Sequence, residues 1–388
     1  MTEPIRIVFT QRLNSLWRTK LEGLRAEFPG VELVEASEKA SGEAPGKTPR
    51  EAPGRAPGAD PVDLTTADIL VGGAISAETV ETAERLQLVV VPFTGVNSLP
   101  LEVLRRRGIR VANSRGNARS VAERAVALLL AFLGRECDFD ADLRAGRWHG
   151  FATGESVKKS WESLDGKRAA ILGTGAIGIE TAGLLRAFGV TATGFRRSGG
   201  RSGGHAGEPS GGDAGGDGAG IFDRVVTSVP AAVEGADIVV VALPATPATE
   251  GLLDAEALAA MQSAVLVNVG RGTIVEEEAL YCALKEGTLR GACIDTWYRY
   301  PGDDPASDAA APGTAARNSA AEGTAAGHGF TPPSRFPFHE LDNVVMSPHV
   351  GGYTRRAVER SVEEAVENLR RFLASGELLN EVDLTAGY

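Results

Sequence analysis

Short apolar runs and stretches of helical spacing alternate along this chain. Runs rich in valine and isoleucine over 5–9, 31–34, 69–71, 88–91 and 110–112 read as strands, and 12–27 reads as a helix between the first two. A long helical segment over 121–134 follows. A second series opens with a strand over 168–172 and continues with strands over 190–195, 238–243, 265–269, 292–294 and 344–346. Such alternation builds parallel sheets with helices on their faces, so the pattern predicts an α/β protein. The last helix, 355–374, carries Val358, Val362, Ala365, Leu369 and Phe372 on one side, the spacing of a buried face.

Three segments break the alternation. Residues 37–61 are rich in Ala, Pro, Gly and charge, 198–220 are mostly Gly, and 302–335 combine Ala, Gly, Thr and Pro. None has the apolar content to offset its ordering entropy, so each is expected to be a mobile surface insertion.

The 388 residues suffice for two domains, each with its own core. The net charge of −11 argues against nucleic acid or an anionic membrane as a general partner, so an anionic ligand must be drawn by a local positive site. Cys137, Cys282 and Cys293 show no C-x-x-C spacing and read as small buried residues in a reducing compartment. The histidines are too scattered for a metal site, and none is expected. The first residues enter a strand with no export signal, and the apolar runs fall well short of the ~20 residues that cross a bilayer. A cytoplasmic location is the expectation.

Two strand-like runs end on chemically capable residues. One is Ala264-Val265-Leu266-Val267-Asn268-Val269-Gly270-Arg271-Gly272 and the other is Val344-Val345-Met346-Ser347-Pro348-His349. In a parallel sheet, ligands bind beyond the carboxyl ends of the strands, which would bring Arg271 and His349 to one pocket. A guanidinium grips a carboxylate with two hydrogen bonds, and an imidazole exchanges protons near neutrality. The pair suits a 2-oxo or 2-hydroxy acid. An electron carrier has its own place upstream, where the strand 168–172 runs into Gly173-Thr174-Gly175-Ala176-Ile177-Gly178 and then a helical segment over 179–188. In this setting Gly173 serves the tight turn, Gly175 the approach of a pyrophosphate and Gly178 the packing of helix on strand.

Together these residues resemble the D-isomer-specific 2-hydroxyacid dehydrogenases. The resemblance extends to Gly108-Ile109-Arg110-Val111-Ala112-Asn113, Ser120-Val121-Ala122-Glu123, Leu243-Pro244-Ala245-Thr246-Pro247-Ala248-Thr249 and Gly291-Ala292-Cys293-Ile294-Asp295. It implies two Rossmann-like, doubly wound parallel-sheet domains. The substrate domain would be discontinuous, formed by 1–113 and 354–388, with a dinucleotide-binding domain over 114–353. It also implies that Ala176, Ile177, Pro244, Val269, Gly270, Asp295 and Gly352 join the three fingerprint glycines at the cofactor, Asp295 on its nicotinamide side. Thr94 and Gly95, within Phe93-Thr94-Gly95-Val96-Asn97, match the loop whose backbone N–H groups hold the substrate carboxylate. Arg271 would bind that carboxylate and His349 would act as acid/base. Trp148 matches a segment near a dimer interface, a homodimer being implied, although a buried aromatic within one subunit explains it almost as well.

Two departures from the family pattern stand out. About 20 residues beyond the fingerprint, where an acidic residue usually takes the ribose hydroxyls of NAD, this chain has Arg196 and Arg197. Two guanidiniums suit a 2′-phosphate, so NADP(H) is the expected cofactor, with NAD(H) the alternative. The family's catalytic trio also includes a glutamate, at whose position Tyr300 stands. A phenol can orient an imidazole but supplies no charge at neutral pH. Asp303 and Asp304 are the nearest carboxylates in sequence that could substitute. The expected activity is hydride transfer to or from C2 of a 2-oxo or 2-hydroxy acid. A dinucleotide-sensing regulatory protein on the same fold is the rival reading.

Overall fold

Both sheets are parallel throughout, and both reverse their strand order at an internal point. A computed structural model describes residues 3–35, 63–73, 75–157, 160–197, 220–301 and 331–388. Of the expected insertions 37–61, 198–220 and 302–335, the residues 37–61, 198–219 and 302–330, with Asp303 and Asp304, lie outside the described residues.

The first sheet contains β1 (Ile5–Phe9), β2 (Val31–Glu35), β3 (Ile69–Val71), β4 (Leu88–Val90) and β5 (Arg110–Ala112), in the order β2-β1-β3-β4-β5. Its two faces have separate cores, as the alternation of side chains along a strand requires. Val8, Leu70, Val89 and Val111 face one side, towards α2 (Ala77–Thr82) and α3 (Leu101–Arg106). Ile7, Phe9, Ile69, Val71, Leu88 and Val90 face the other. There α1 (Ser15–Glu27), capped by Asn14, packs beside α10 (Arg355–Ser375), capped by Thr354. The far end of the chain thus completes the first sheet's covering layer. Val362, Ala365 and Leu369 are buried in that core as their spacing predicts, but Val358 is partly exposed and Ala357 is buried instead. The buried stripe therefore begins one residue earlier than the pattern suggests.

The second sheet has seven strands: β6 (Arg168–Leu172), β7 (Thr191–Phe195), β8 (Arg224–Val226), β9 (Ile238–Val241), β10 (Val265–Asn268), β11 (Gly291–Ile294) and β12 (Val344–Met346). Their order is β12-β11-β10-β9-β6-β7-β8, so the winding reverses between β6 and β9. Its central strands are fully buried, which accounts for their near-continuous apolar runs. On one face α4 (Ala118–Gly134) packs against α6 (Ala176–Arg186) over Ala169, Ile171, Val240, Val267 and Cys293. On the other, α7 (Val229–Val233), α8 (Ala255–Ala260) and α9 (Glu277–Lys285) cover Ala170, Leu172, Val239, Leu266 and Ile294.

Three expectations change. Cys293 is buried, but Cys137 and Cys282 are exposed on helices, so cysteine type alone misjudged two of the three. The end of the third biased segment is not free of the core. Ser334 is buried and donates to Glu277 Oε1 at 2.7 Å, and Arg335 pairs with the same carboxylate at 2.7 Å. Trp148 is not a buried aromatic within one subunit, being 64% exposed. It follows α5 (Glu136–Arg144), which has no buried residue. Leu143, Phe151 and Trp161 of the same segment are likewise exposed.

Candidate active site between the two sheets

The reversal between β6 and β9 places the fingerprint where an open sheet leaves a crevice. Gly173 leaves β6 at φ +115°, and a Cβ there would lie 2.7 Å from the Ala242 carbonyl at the exit of β9. A Cβ on Gly178 would overlap the Gly173 carbonyl, so helix α6 rests directly on the turn. Gly175, the N-cap of α6, has no heavy atom within 4 Å of its Cβ position. The two outer glycines are therefore demanded by packing, while the middle one faces open space. This is the arrangement that admits a pyrophosphate to the first N–H groups of the helix. The residues fit a dinucleotide. Arg196 follows β7, its N–H bonded to the Val226 carbonyl at 3.1 Å, and Arg197 beside it is exposed. Both stand at the exit of the strand next to the fingerprint strand.

Arg271 leaves β10 on a turn wedged between its neighbours. A Cβ on Gly270 would lie 2.8 Å from the Leu243 carbonyl, and one on Gly272 would collide with the Trp297 carbonyl. Asn268 braces the turn from both ends of its amide: Oδ1 accepts from Gly270 N–H at 3.1 Å and Nδ2 donates to the Arg271 carbonyl at 3.0 Å. Val269 is buried, bonded through its N–H to the Val241 carbonyl, and the Pro244 carbonyl accepts from Thr249 Oγ1 at 2.7 Å. The guanidinium, anchored by Nη1 to the Gly270 carbonyl at 2.7 Å, reaches the first sheet. There Gly95 lies so close that a Cβ would strike Nη2. Thr94 turns its hydroxyl away to Asn117 Oδ1 at 2.7 Å and the Ser114 carbonyl at 3.0 Å, and its carbonyl accepts from Asn113 Nδ2 at 2.8 Å. The loop after β4 is thus tied to the crossover between the sheets and faces Arg271 with its backbone.

His349 sits on an exposed turn after β12 in the left-handed region, φ +56°. A buried carboxylate holds that turn. Asp295, 2% exposed, accepts from Ser347 Oγ and from Val350 N–H (3.1 Å) with Oδ1, and from Gly351 N–H (2.9 Å) with Oδ2. Burying a carboxylate is costly unless donors replace its water, and three donors do so here. Trp297 Nε1 donates to the Ser347 carbonyl at 2.8 Å, and Arg124 of α4 donates to Ser347 Oγ at 2.8 Å. Asp295, expected at the nicotinamide side of a cofactor, has both oxygens engaged by the loop that carries His349. Tyr300 packs its ring against the imidazole, with centroids 5.4 Å apart at 53°, while its hydroxyl accepts from Trp297 N–H at 3.1 Å. Gly352 packs against the Asn117 side chain, where a Cβ would lie 2.8 Å from Nδ2.

Sequence reading singles out Arg271, His349, the fingerprint, Asp295 and Tyr300, but not the part that Asp295 plays in holding the His349 loop, nor the other residues that hold the site together. Asn268 is the polar residue in an otherwise apolar buried strand, a signal strong enough to have found it. Ser347, Trp297, Arg124 and Asn117 act through contacts between distant segments and left no such mark. Cys293, behind the sheet, has its thiol pushed up by burial and is no nucleophile.

The sequence pattern described as D-isomer specific 2-hydroxyacid dehydrogenase, NAD binding domain, matches residues 126–351, more than half of the chain. The chain belongs to this family. Among curated relatives it is 26% identical over 323 residues to D-3-phosphoglycerate dehydrogenase of Methanocaldococcus jannaschii, covering 81% of this chain and 51% of that one. It is 28% identical over 302 residues to the glyoxylate reductase of Thermofilum pendens, covering 76% and 74%. The chain spans about half the length of the phosphoglycerate dehydrogenases that it matches first. The NADPH-dependent glyoxylate/hydroxypyruvate reductase of Sinorhizobium meliloti, solved with NADP and malonate, has the same fold at a TM-score of 0.66 and 24% identity, covering 99% of this chain and 98% of that chain. Within the described residues, no helix of this family member is long and apolar enough to cross a membrane.

Proposed function

We propose that the protein is an NADP(H)-preferring 2-hydroxyacid dehydrogenase working on small 2-oxo or 2-hydroxy acids. The observation that carries this reading is the approach of Arg271 to Gly95 across the crevice, with His349 beyond β12, two strands along the same sheet from β10, which Arg271 leaves. A bound nicotinamide dinucleotide supplies or accepts the hydride at C2. Arg271 and the backbone N–H groups of Thr94 and Gly95 hold the substrate carboxylate, which fixes C2 relative to the imidazole. In reduction His349 gives its proton to the carbonyl oxygen as negative charge develops there; in oxidation it takes the hydroxyl proton. Asp295 and Ser347 keep the imidazole's backbone in place, and Tyr300 sets the tilt of the ring. The open N-terminus of α6 receives the pyrophosphate, and Arg196 with Arg197 receives the 2′-phosphate. The exposed Leu143, Trp148, Phe151 and Trp161 are the face through which two copies pair.

Steady-state turnover of 2-oxo acids with NADPH and NADH in parallel tests this reading. NADPH is expected to have the lower Michaelis constant, and Arg196→Asp to swing preference towards NADH. A wild type that prefers NADH, or a mutant with unchanged preference, removes the arginines from cofactor choice. Absence of turnover with either nucleotide is what a dinucleotide-sensing protein would give.

A further inference from the structure

The proposed reaction holds the substrate by its carboxylate and acts at C2, so the remaining substituent of C2 must find room elsewhere. With the carboxylate between Arg271 and the loop after β4, that substituent lies against the carboxyl ends of the first sheet's strands. Those ends have a definite chemistry. Phe93, next to Thr94, is 44% exposed, and its ring lies over Gly73 at the exit of β3 so closely that a Cβ on Gly73 would enter it. The turn beneath is pinned, since Ser98 Oγ donates to the Gly73 carbonyl at 2.6 Å. The neighbouring Gly72, at φ +158°, likewise has no room for a Cβ beside Thr10. Gly73 thus makes space for the aromatic ring, and Phe93 is left nearly half uncovered beside the residues proposed to hold the carboxylate.

Among the described residues, charge at this end of the cleft is sparse. In the described turns that leave β1, β3 and β4 the cation is Arg12, exposed, and its charge helps to hold the Glu35 carboxyl below its usual range. Among the described residues of these turns, a phosphate or second carboxylate on the substrate would meet no dedicated counter-charge, on a chain whose net charge is already −11. An apolar side chain would cover the exposed ring and gain by leaving water.

We infer that Phe93 is a specificity-determining residue and that the substrates are 2-oxo or 2-hydroxy acids with uncharged, apolar side chains, aromatic or branched aliphatic. The inference rests on the dehydrogenase reading above. Efficiencies are to be measured for glyoxylate, which has no side chain, phenylpyruvate, 4-methyl-2-oxopentanoate and 3-phosphohydroxypyruvate, each with both nucleotides. The two apolar acids should exceed the phosphorylated one by about tenfold or more. Phe93→Ala should lower efficiency for the apolar acids about tenfold and leave glyoxylate within about twofold, and Phe93→Leu should restore part of the loss. A preference for the phosphorylated acid overturns the inference while leaving the dehydrogenase reading intact. So does a Phe93→Ala protein in which glyoxylate suffers as much as the apolar acids. No turnover of any of the four by folded protein overturns the dehydrogenase reading, and the inference with it.

Discussion

The Arg271 turn and the His349 loop occupy corresponding places, each just beyond a strand of the second sheet, yet they are held by opposite means. Arg271 is fixed by backbone packing, with glycines on both sides pressed against the exits of adjacent strands and Asn268 bracing the turn. His349 stands exposed, in a left-handed conformation that a glycine would adopt more easily, and its loop hangs on the buried carboxylate of Asp295. The difference follows from the two chemistries. A guanidinium keeps its charge at every working pH and has only to be held still, so it can be built into the sheet. An imidazole that trades protons with a substrate must reach the cleft, and a turn that reaches out has few packing neighbours. Hydrogen bonds from a buried anchor take their place.

The largest expected effect comes from cutting that anchor. In Asp295→Asn the single amide oxygen can keep at most two of the three donors, and the new NH2 group opposes a backbone N–H. The His349 loop should shift by a fraction of an ångström to an ångström, and efficiency should fall about a hundredfold. The Michaelis constant for the nucleotide should change little, because the fingerprint lies elsewhere. Near-wild-type efficiency would show that the loop holds itself.

Gly272→Ala attacks the other side of the comparison. Its Cβ collides with the Trp297 carbonyl, so the turn must move or the strand exits separate, at a cost of about 1–3 kcal/mol. A lower melting temperature is expected together with a raised Michaelis constant for the oxo acid. A mutant as stable as wild type, with unchanged substrate affinity, would mean that the turn is not packed as tightly as its geometry states.

The smallest effect sharpens the comparison. Tyr300→Glu would set a carboxylate against the imidazole, and a neighbouring negative charge favours the protonated ring. Reduction uses that protonated form, so the alkaline limb of the reductive pH profile should move up by about one pH unit relative to wild type. Coincident limbs in an active mutant would show that residue 300 governs ring orientation alone.

Strand–helix alternation made the α/β class legible, and the long apolar runs located nearly every central strand, because strands buried on both faces tolerate little else. The short edge strand β8 escaped, since Val225 there is 44% exposed and its pattern is weak. The short helices α2, α3, α7 and α8 also escaped, each being about one or two turns long, too short for a periodicity to declare itself.

Residue type and local context were enough to single out Arg271, His349 and the fingerprint, because turns at strand ends and glycines beside them carry local signals. Apart from Asn268, what holds these residues belonged to the tertiary structure. Asp295 reaches the His349 loop across more than fifty positions of chain, Arg124 joins it from α4, and Tyr300 meets the imidazole from the exit of β11. Gly95 approaches Arg271, and Phe93 finds its space over Gly73, only once two sheets and their crossovers are in place. A linear sequence records which groups are available; distances between segments far apart in it are decided by packing, which no local pattern encodes.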